Sequence, residues 1–82
     1  MHSYIALLRK DPHSDYGVDF PDLPGCVTAG RTPEEGRAMA GEALALHLEG
    51  MAEDREPIPL PTLLESVMAD AANRNATPFL VS

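Results

Sequence analysis

The pattern of apolar and polar positions predicts three antiparallel strands up to Gly30. The segment Ser3–Arg9 (SYIALLR) is apolar on both of its sides, which is typical of a strand in the middle of a sheet. In Tyr16–Phe20 every second residue is apolar, as in a strand with one buried face. A third strand returns to Gly30 through small and β-branched residues. Turn residues between the first two segments complete a meander of three strands.

A helical period follows the meander and holds to about Glu53. The segment Thr32–Glu35 (TPEE) predicts the helix start, with a capping threonine, a proline in the first turn and a glutamate that completes a capping box. Apolar and small side chains cluster on one side of this helix, and the glutamates lie mostly on the opposite arc. Leu46 and Leu48 widen the apolar arc beyond what one sheet face covers, which indicates contact with a second helix or a partner chain.

Prolines dominate the next segment, Pro57–Pro61 (PIPLP), which predicts an extended connector whose Ile58 and Leu60 lie on the domain. Thr62–Glu65 (TLLE) forms a second capping box and predicts a short helix to about Ala71. The apolar C-terminus, from Pro78, predicts a last strand. The expected fold is α+β: a three-stranded antiparallel meander plus a fourth strand, backed by one long and one short helix.

A rigid corner separates the second and third predicted strands. Pro21 and Pro24 fix φ near −65° and lack an N–H donor, so neither can lie inside a sheet ladder. Asp22 can accept hydrogen bonds from nearby backbone amides, and Gly25 tolerates a positive φ where the chain reverses. We therefore interpret these four residues as a structural corner.

The residues around this corner also carry a family resemblance. The run Y-G-x-x-F-P-D-x-P-G-C, the T-x-E-E helix start and the segment A-L-x-L-H-L-E-G closely resemble the N-terminal domain of HicB-type antitoxins, from about Tyr4 to Glu65. The resemblance implies a partial ribonuclease-H-like fold and an antitoxin function. It also implies a partner, a small basic mRNA-cleaving toxin of the HicA type, whose RNA-binding surface and catalytic histidine the antitoxin would cover. In the family the last strand leads to a DNA-binding domain, so we expect residues 1–82 to form a single N-terminal domain without it.

Composition narrows the classes of partner. The chain has 82 residues, with 13 acidic and 6 basic side chains and a net charge of −7. This balance argues against direct binding to nucleic acid and favours a basic partner or simple solubility. A single cysteine suits a reducing cytosol, and no apolar run approaches the roughly 20 residues of a membrane span. We expect a cytoplasmic protein that contacts neither membrane nor nucleic acid.

The small size also predicts self-association. A chain of this length buries a thin core, and oligomerisation is a common way to complete it. We therefore expect a homo-oligomer, a dimer or a tetramer.

The acidic residues suggest a docking surface for the partner. Eleven of the 13 lie between Asp11 and Glu56, a region that carries a net charge of −8. The first hairpin and the start of the long helix should lie at the same end of the sheet and form one acidic end there. A solvated surface without a partner is the alternative. The predicted partner-binding residues are Asp11, Asp15, Asp19, Glu34 and Glu35.

Two other functions compete with that of an antitoxin. A metal-dependent hydrolase on a ribonuclease-H-like scaffold needs converging carboxylates, one of them in the middle of the first strand. That strand reads YIALL and has none, and Asp19, Glu42 and Glu49 are too scattered to replace it. We therefore predict a protein that is not an enzyme, with no catalytic residue, metal or cofactor. The other alternative is a stand-alone oligomerisation module without a toxin partner.

Overall fold

One antiparallel sheet with helices on both of its faces organises the chain. The computed structural model describes residues 2–10, 12, 13 and 15–82. The four strands are hydrogen-bonded in the order β3-β2-β1-β4. The predicted α+β fold, with four strands and one long and one short helix, is confirmed. The elements are β1 (Tyr4–Lys10), β2 (Tyr16–Asp19), β3 (Val27–Gly30), α1 (Pro33–Glu53), α2 (Leu64–Ala69), a single 3-10 turn (Ala71–Asn73) and β4 (Thr77–Val81).

Strand β1 lies in the middle of the sheet, as its apolar sequence predicts. It pairs with β2 on one side, where Leu8 lies opposite Val18, and with β4 on the other, where Ala6 lies opposite Phe79. The five residues from Tyr4 to Leu8 are all buried. The side of the sheet that carries Ala6 and Leu8 is the front face, and the opposite side is the back face.

Helix α1 covers the front face. The Thr32 hydroxyl accepts a hydrogen bond from the Glu35 N–H at 3.1 Å, and the Glu35 carboxylate accepts one from the Arg31 N–H at 3.2 Å. The first bond is the predicted Thr32 cap, which fixes where the helix begins, whereas the Glu35 carboxylate binds the N–H of Arg31, one residue before the N-cap, and not that of Thr32 as a capping box requires. A Cβ atom on Gly30 would lie only 2.4 Å from the backbone nitrogen of Gly36, so no side chain fits there and the helix begins directly against β3.

The back face is covered by α2 and the turn Ala71–Asn73. Ile5 and Leu7 pack there against Val67 and Ala76. The second helix therefore lies on the opposite side of the sheet from α1. The chain thus has a separate small apolar cluster on each face of β1.

A polar network ties the back layer to the sheet. The Arg9 guanidinium donates from Nε to Asp19 at 2.6 Å, from NH2 to the Asn73 side-chain oxygen at 2.7 Å and from NH1 to the Ala72 carbonyl at 2.9 Å. Asn73 is itself buried and donates to the Val67 carbonyl at 2.9 Å. The hydrogen bond with Asp19 raises the pKa of Arg9 above its already high ordinary value. The guanidinium is therefore charged at every relevant pH.

The prediction of a second capping box at Thr62–Glu65 is wrong. Helix α2 begins at Leu64, and its N-cap residue, Leu63, makes no side-chain capping bond. The Thr62 N–H instead donates to the Asp22 carboxylate at 2.8 Å, and the Thr62 hydroxyl donates to the same group. Asp22 thus binds a residue 40 positions away rather than the nearby amides that the sequence suggested.

The proline segment 57–61 is held largely through its backbone. The Tyr4 hydroxyl donates to the Pro59 carbonyl at 2.5 Å, and the bond between Asp22 and Thr62 follows directly after the segment. Leu60 remains 75% exposed and Ile58 45% exposed. The prediction that both side chains lie on the domain is therefore wrong for Leu60, because polar contacts fix the segment without burying that side chain.

Removing Asn73 should weaken the back layer more than removing Asp19. The buried Asn73→Ala change removes one acceptor of the Arg9 guanidinium and the 2.9 Å donor to the Val67 carbonyl, and it should cost about 1–3 kcal/mol in the free energy of unfolding. Asp19→Ala should cost only about 0.5–1 kcal/mol, since the side chains of Arg9 and Asp19 are 39% and 33% exposed and water screens their attraction. Urea denaturation of both variants provides the measurement. A silent Asn73→Ala change would contradict the role assigned to the network.

The buried thiol of Cys26 should resist labelling in the folded protein. It contacts the Ala43 carbonyl, with 3.7 Å between sulfur and oxygen, and burial raises the pKa of Cys26 above its ordinary value of 9.0. The unfolded chain therefore loses this proton more readily, and the stability due to the neutral thiol falls as the pH rises above about 9. Labelling with a disulfide reagent should be slow in buffer and fast in urea. Cys26→Ala should remove the fall in stability above about pH 9 that is due to this thiol. Fast labelling of Cys26 at neutral pH in buffer would contradict its burial.

Candidate functional site

Three of the predicted partner-binding residues lie at one end of the sheet. Tyr16 pairs with Lys10 on one side and with Gly30 on the other, so the β1–β2 turn and the start of α1 share that end. Asp15 lies in the turn, whereas Glu34 and Glu35 lie in the first turn of α1, and all three are exposed. Asp11, the fourth residue predicted there, lies outside the described residues.

Basic side chains share this predicted acidic end. Lys10 lies with its Nζ 5.4 Å from the centre of the Tyr16 ring, at the same turn. Arg31 precedes α1, and Arg37 lies one turn into the helix, with its guanidinium 5.7 Å from the centre of the Phe79 ring. Among the described residues, three basic side chains therefore accompany the three acidic ones, and this end is close to neutral.

Asp19 lies apart from the other predicted residues. It is the last residue of β2, about 10 Å along the strand from the turn, and it points to the back face. Its carboxylate is bound by Arg9 at 2.6 Å. The structure therefore gives Asp19 a role in holding the back layer and does not bring it together with Glu34 and Glu35.

The corner residues position the other end of the sheet. Gly25 has a φ of 87°, a left-handed conformation that glycine adopts without strain. The Leu23 N–H donates to the Phe20 carbonyl, and the Cys26 N–H donates to the Leu23 carbonyl, both at 3.0 Å. Leu23 and Cys26 are buried, whereas Pro21 and Pro24 are exposed and Asp22 holds Thr62. The corner is thus a packed turn that carries one carboxylate.

An acidic stripe runs along the exposed side of α1. Its members recur every third or fourth residue and therefore share one side of the helix. All of them are exposed, and Leu46 is 70% exposed. The sequence pattern placed the glutamates away from the apolar residues, yet the structure shows apolar side chains between them. The acidic stripe consists of Glu35, Met39, Glu42, Leu46, Glu49 and Glu53.

The acidic stripe overhangs the open edge of β3. The helix lies lengthwise along this strand, since Gly36 lies against Gly30 at one end and the Ala43 carbonyl contacts the Cys26 thiol, just before the strand, at the other. A groove of about 430 Å³ separates the two elements. Val27 on the strand is 64% exposed, and Met39 on the helix is 38% exposed. The groove is lined by Val27, Thr28, Met39, Glu42, Leu46 and His47.

A second concave surface lies between the corner and the end of α1. It has a volume of about 730 Å³ and carries three carboxylates, those of Asp22, Asp54 and Glu56. Leu46 and His47 line both this cleft and the groove beside β3. The exposed acidic surface therefore extends from the start of α1 to its end. The sequence signal for it was the recurrence of glutamate at the seven-residue spacing of Glu35, Glu42 and Glu49.

Two further features bear on function. In the described part of the chain, no group of three or more His, Cys, Asp or Glu side chains is placed to hold a metal ion. No helix among residues 2–10, 12, 13 and 15–82 has both the length and the apolar character needed to cross a membrane.

Comparison with solved structures confirms the fold. An antitoxin HicB from Burkholderia pseudomallei superposes on the whole chain with a TM-score of 0.88 at 30% identity, over 63% of that protein. A chain of the HicA3 and HicB3 toxin–antitoxin complex superposes on 98% of this chain with a TM-score of 0.81 at 25% identity, over 95% of that chain. The four-stranded sheet with its two helices is thus the architecture of HicB proteins.

Comparison of sequences identifies the family. The antitoxin HicB of Escherichia coli is 38% identical over 63 residues, and the antitoxin HicB 1 of Photorhabdus laumondii is 43% identical over 58 residues. The matches cover 77% and 71% of this chain but only 46% and 37% of those antitoxins, so the chain spans less than half of their length. A family model described as the HicB-like antitoxin of bacterial toxin–antitoxin systems matches residues 4–82. Membership of an antitoxin family confirms the predicted resemblance and the prediction that the chain is not an enzyme: the protein belongs to the HicB-like antitoxins.

Proposed function

We propose that this chain binds a small basic toxin of the HicA type and neutralises it by covering its RNA-binding and active surface. The observation that carries the proposal is the exposed acidic surface along α1 in a member of an antitoxin family. A structural neighbour of the chain comes from a complex of HicA3 with HicB3, which supports a partner of this class. A ribonuclease must attract RNA phosphates, so its working surface is basic. An acidic protein surface is the natural complement of such a surface.

The charge balance supports a protein partner rather than a nucleic acid. The net charge of −7 repels phosphate at moderate salt, whereas it accelerates encounter with a basic protein. We therefore propose that these residues contact no DNA or RNA directly and that binding takes place in the cytoplasm, where mRNA-cleaving toxins act.

Co-expression tests the proposed function. The chain would be produced together with a small basic protein of the HicA type, sought first in the gene next to its own. Growth should stop when the basic protein is expressed alone and recover when the chain is present, and the two should purify as a complex. Continued growth arrest despite a folded, abundant chain would contradict neutralisation.

Salt dependence should show which acidic region steers the toxin. The first variant carries Lys at Asp15, Glu34 and Glu35, and the second carries Lys at Glu53, Asp54 and Glu56. In each variant three negative side chains become positive, so the net charge changes equally, from −7 to −1. Since Lys10, Arg31 and Arg37 already offset the first region, we expect the second variant to lose more of the association rate and more of its salt dependence.

A control separates steering from folding in this comparison. Replacing Glu35 removes the acceptor for the Arg31 N–H and could cost up to about 1 kcal/mol of helix stability. Glu35→Gln retains an acceptor, and circular dichroism reports whether each variant is folded. Stopped-flow association rates between 50 and 500 mM salt, roughly the range over which the screening length shortens from about 14 to 4 Å, give the measurement. Unchanged rates for both folded triple variants would contradict electrostatic docking on these regions.

Self-association is the second proposed property, and the apolar patch on the back face supports it. Leu63, Leu64 and Leu80 are 68%, 53% and 71% exposed around a groove of about 340 Å³ that Ile5 and Pro78 also line. None of the residues that line this groove is charged. Two copies that each carry −7 can approach there without opposing carboxylates, so we propose that a second copy covers the patch.

Light scattering tests the oligomer. The wild-type chain should scatter as a dimer or tetramer at high micromolar concentration. Leu80→Lys should shift it towards monomer because a charge would be buried in the contact. The matched control is Leu46→Lys, because Leu46 is as exposed as Leu80 but lies on α1. This variant should leave the mass of the oligomer unchanged. A wild-type monomer at high micromolar concentration would contradict self-association.

A further inference from the structure

The two edges of the sheet differ in their capacity to accept another strand. The Phe20 N–H donates to the Cys26 carbonyl at 3.2 Å, and hydrogen-bonded pairs alternate along an antiparallel ladder. With the observed register, the backbone groups of Thr28 face β2. Those of Val27 and Ala29 face away from the sheet. The open edge of β3 therefore presents two N–H and two C=O groups.

The opposite edge is blocked by a proline. Following the same alternation of hydrogen-bonded pairs across β2 and β1 gives the orientation of β4. The backbone N–H and C=O groups of Thr77 and Phe79 face β1. Those of Pro78 and Leu80 face away from the sheet. Pro78 has no N–H, so the open edge of β4 presents a single donor, that of Leu80. Strand β3 has neither a proline nor a charged residue to protect it.

The groove beside β3 offers side-chain pockets to an added strand. An extended segment paired with β3 would direct alternate side chains to the front face, into the groove that α1 overhangs. Met39 and Leu46 would receive apolar side chains there, and Glu42 would receive a basic one. The groove is thus suited to an extended segment whose groove-facing residues, every second one along the chain, include both apolar and basic side chains.

We infer that β3 and the acidic stripe form the docking groove for an extended, basic segment of the partner protein, which adds a fifth strand to the sheet. The inference rests on the proposed function, since it places the toxin at a particular edge. Charge selects this occupant over a second copy of the chain. A symmetric pairing of two β3 strands would bring two acidic stripes together, so that Glu42 and its neighbours would face like charges. A basic segment would meet the same carboxylates with opposite charge.

Hydrogen exchange gives a direct readout of strand addition. The probe is a catalytically inactive form of the small basic protein used in the co-expression experiment. On complex formation the amides of Val27 and Ala29 should become protected, since they are the outward-facing donors. The Thr28 amide, which already bonds to β2, should be protected in both states and serves as the internal reference. This measurement needs no variant and does not depend on how a substitution folds.

Substitution of Ala29 tests the same contact independently. Ala29→Pro removes the outward N–H without removing a bond to β2, and it should weaken the complex by about tenfold or more. Ala29→Val keeps the N–H at the same exposed position and should bind as the wild type does. Glu42→Lys should slow association, whereas Glu65→Lys, an equal change on the exposed side of α2, should have little effect. Thermal unfolding establishes that each variant is folded.

Each result has a distinct meaning. The inference that the partner docks on the open edge of β3 is overturned if the amides of Val27 and Ala29 stay unprotected in the complex. It is also overturned if the folded Ala29→Pro variant binds as tightly as the wild type. Either result leaves the proposed function unaffected. Protection that appears in the chain alone and grows with its concentration means that a second copy occupies the edge, which also overturns the inference. Failure of the wild-type chain to bind the basic protein at all overturns the proposed function and this site together.

Discussion

The close contact between Gly30 and Gly36 is the constraint on which the rest of the structure depends. Since a Cβ atom on Gly30 would lie 2.4 Å from the Gly36 nitrogen, the backbone of α1 lies directly against the edge strand β3. A Cβ atom on Gly36 would in turn lie 3.2 Å from Leu8 and 3.4 Å from Val18. The helix therefore packs closely on the front face at its start. The same placement leaves the neighbouring side of the helix, the acidic stripe, above the open edge of β3, so one contact both closes the core and exposes the surface proposed for docking.

The features that the sequence predicted correctly are local in origin. The burial of both sides of β1 follows from the unbroken apolar run from Tyr4 to Leu8. The start of α1 follows from groups within four positions of one another: the side chains of Thr32 and Glu35 and the backbone N–H of Arg31. Periodicity and capping chemistry act over one or two turns of chain, so they can be recognised before any tertiary contact is known.

The features that the sequence did not predict depend on contacts between distant segments. Thr62 has the sequence pattern of a helix cap, but its N–H and hydroxyl both donate to Asp22, 40 positions away, so Thr62 does not cap α2. The sequence predicted Asp19 as a partner-binding carboxylate, whereas the fold pairs it with Arg9. The seven-residue spacing of glutamates on α1 was visible, yet the side of the helix that overhangs β3 is set by packing. For the candidate site, the sequence thus indicated the acidic charge of the helix, whereas only the fold placed that charge along an edge and a groove.

The difference between the two sheet edges limits how large an assembly of sheets can become. Continuous growth of a sheet from one molecule to the next requires every molecule to use two competent edges, one to give and one to receive. Here Pro78 removes one of the two outward-facing donors of β4, so β3 is the better edge for receiving a strand. A partner segment bound at β3 would therefore occupy the better edge, and the weaker edge of β4 would disfavour continued growth into a fibre.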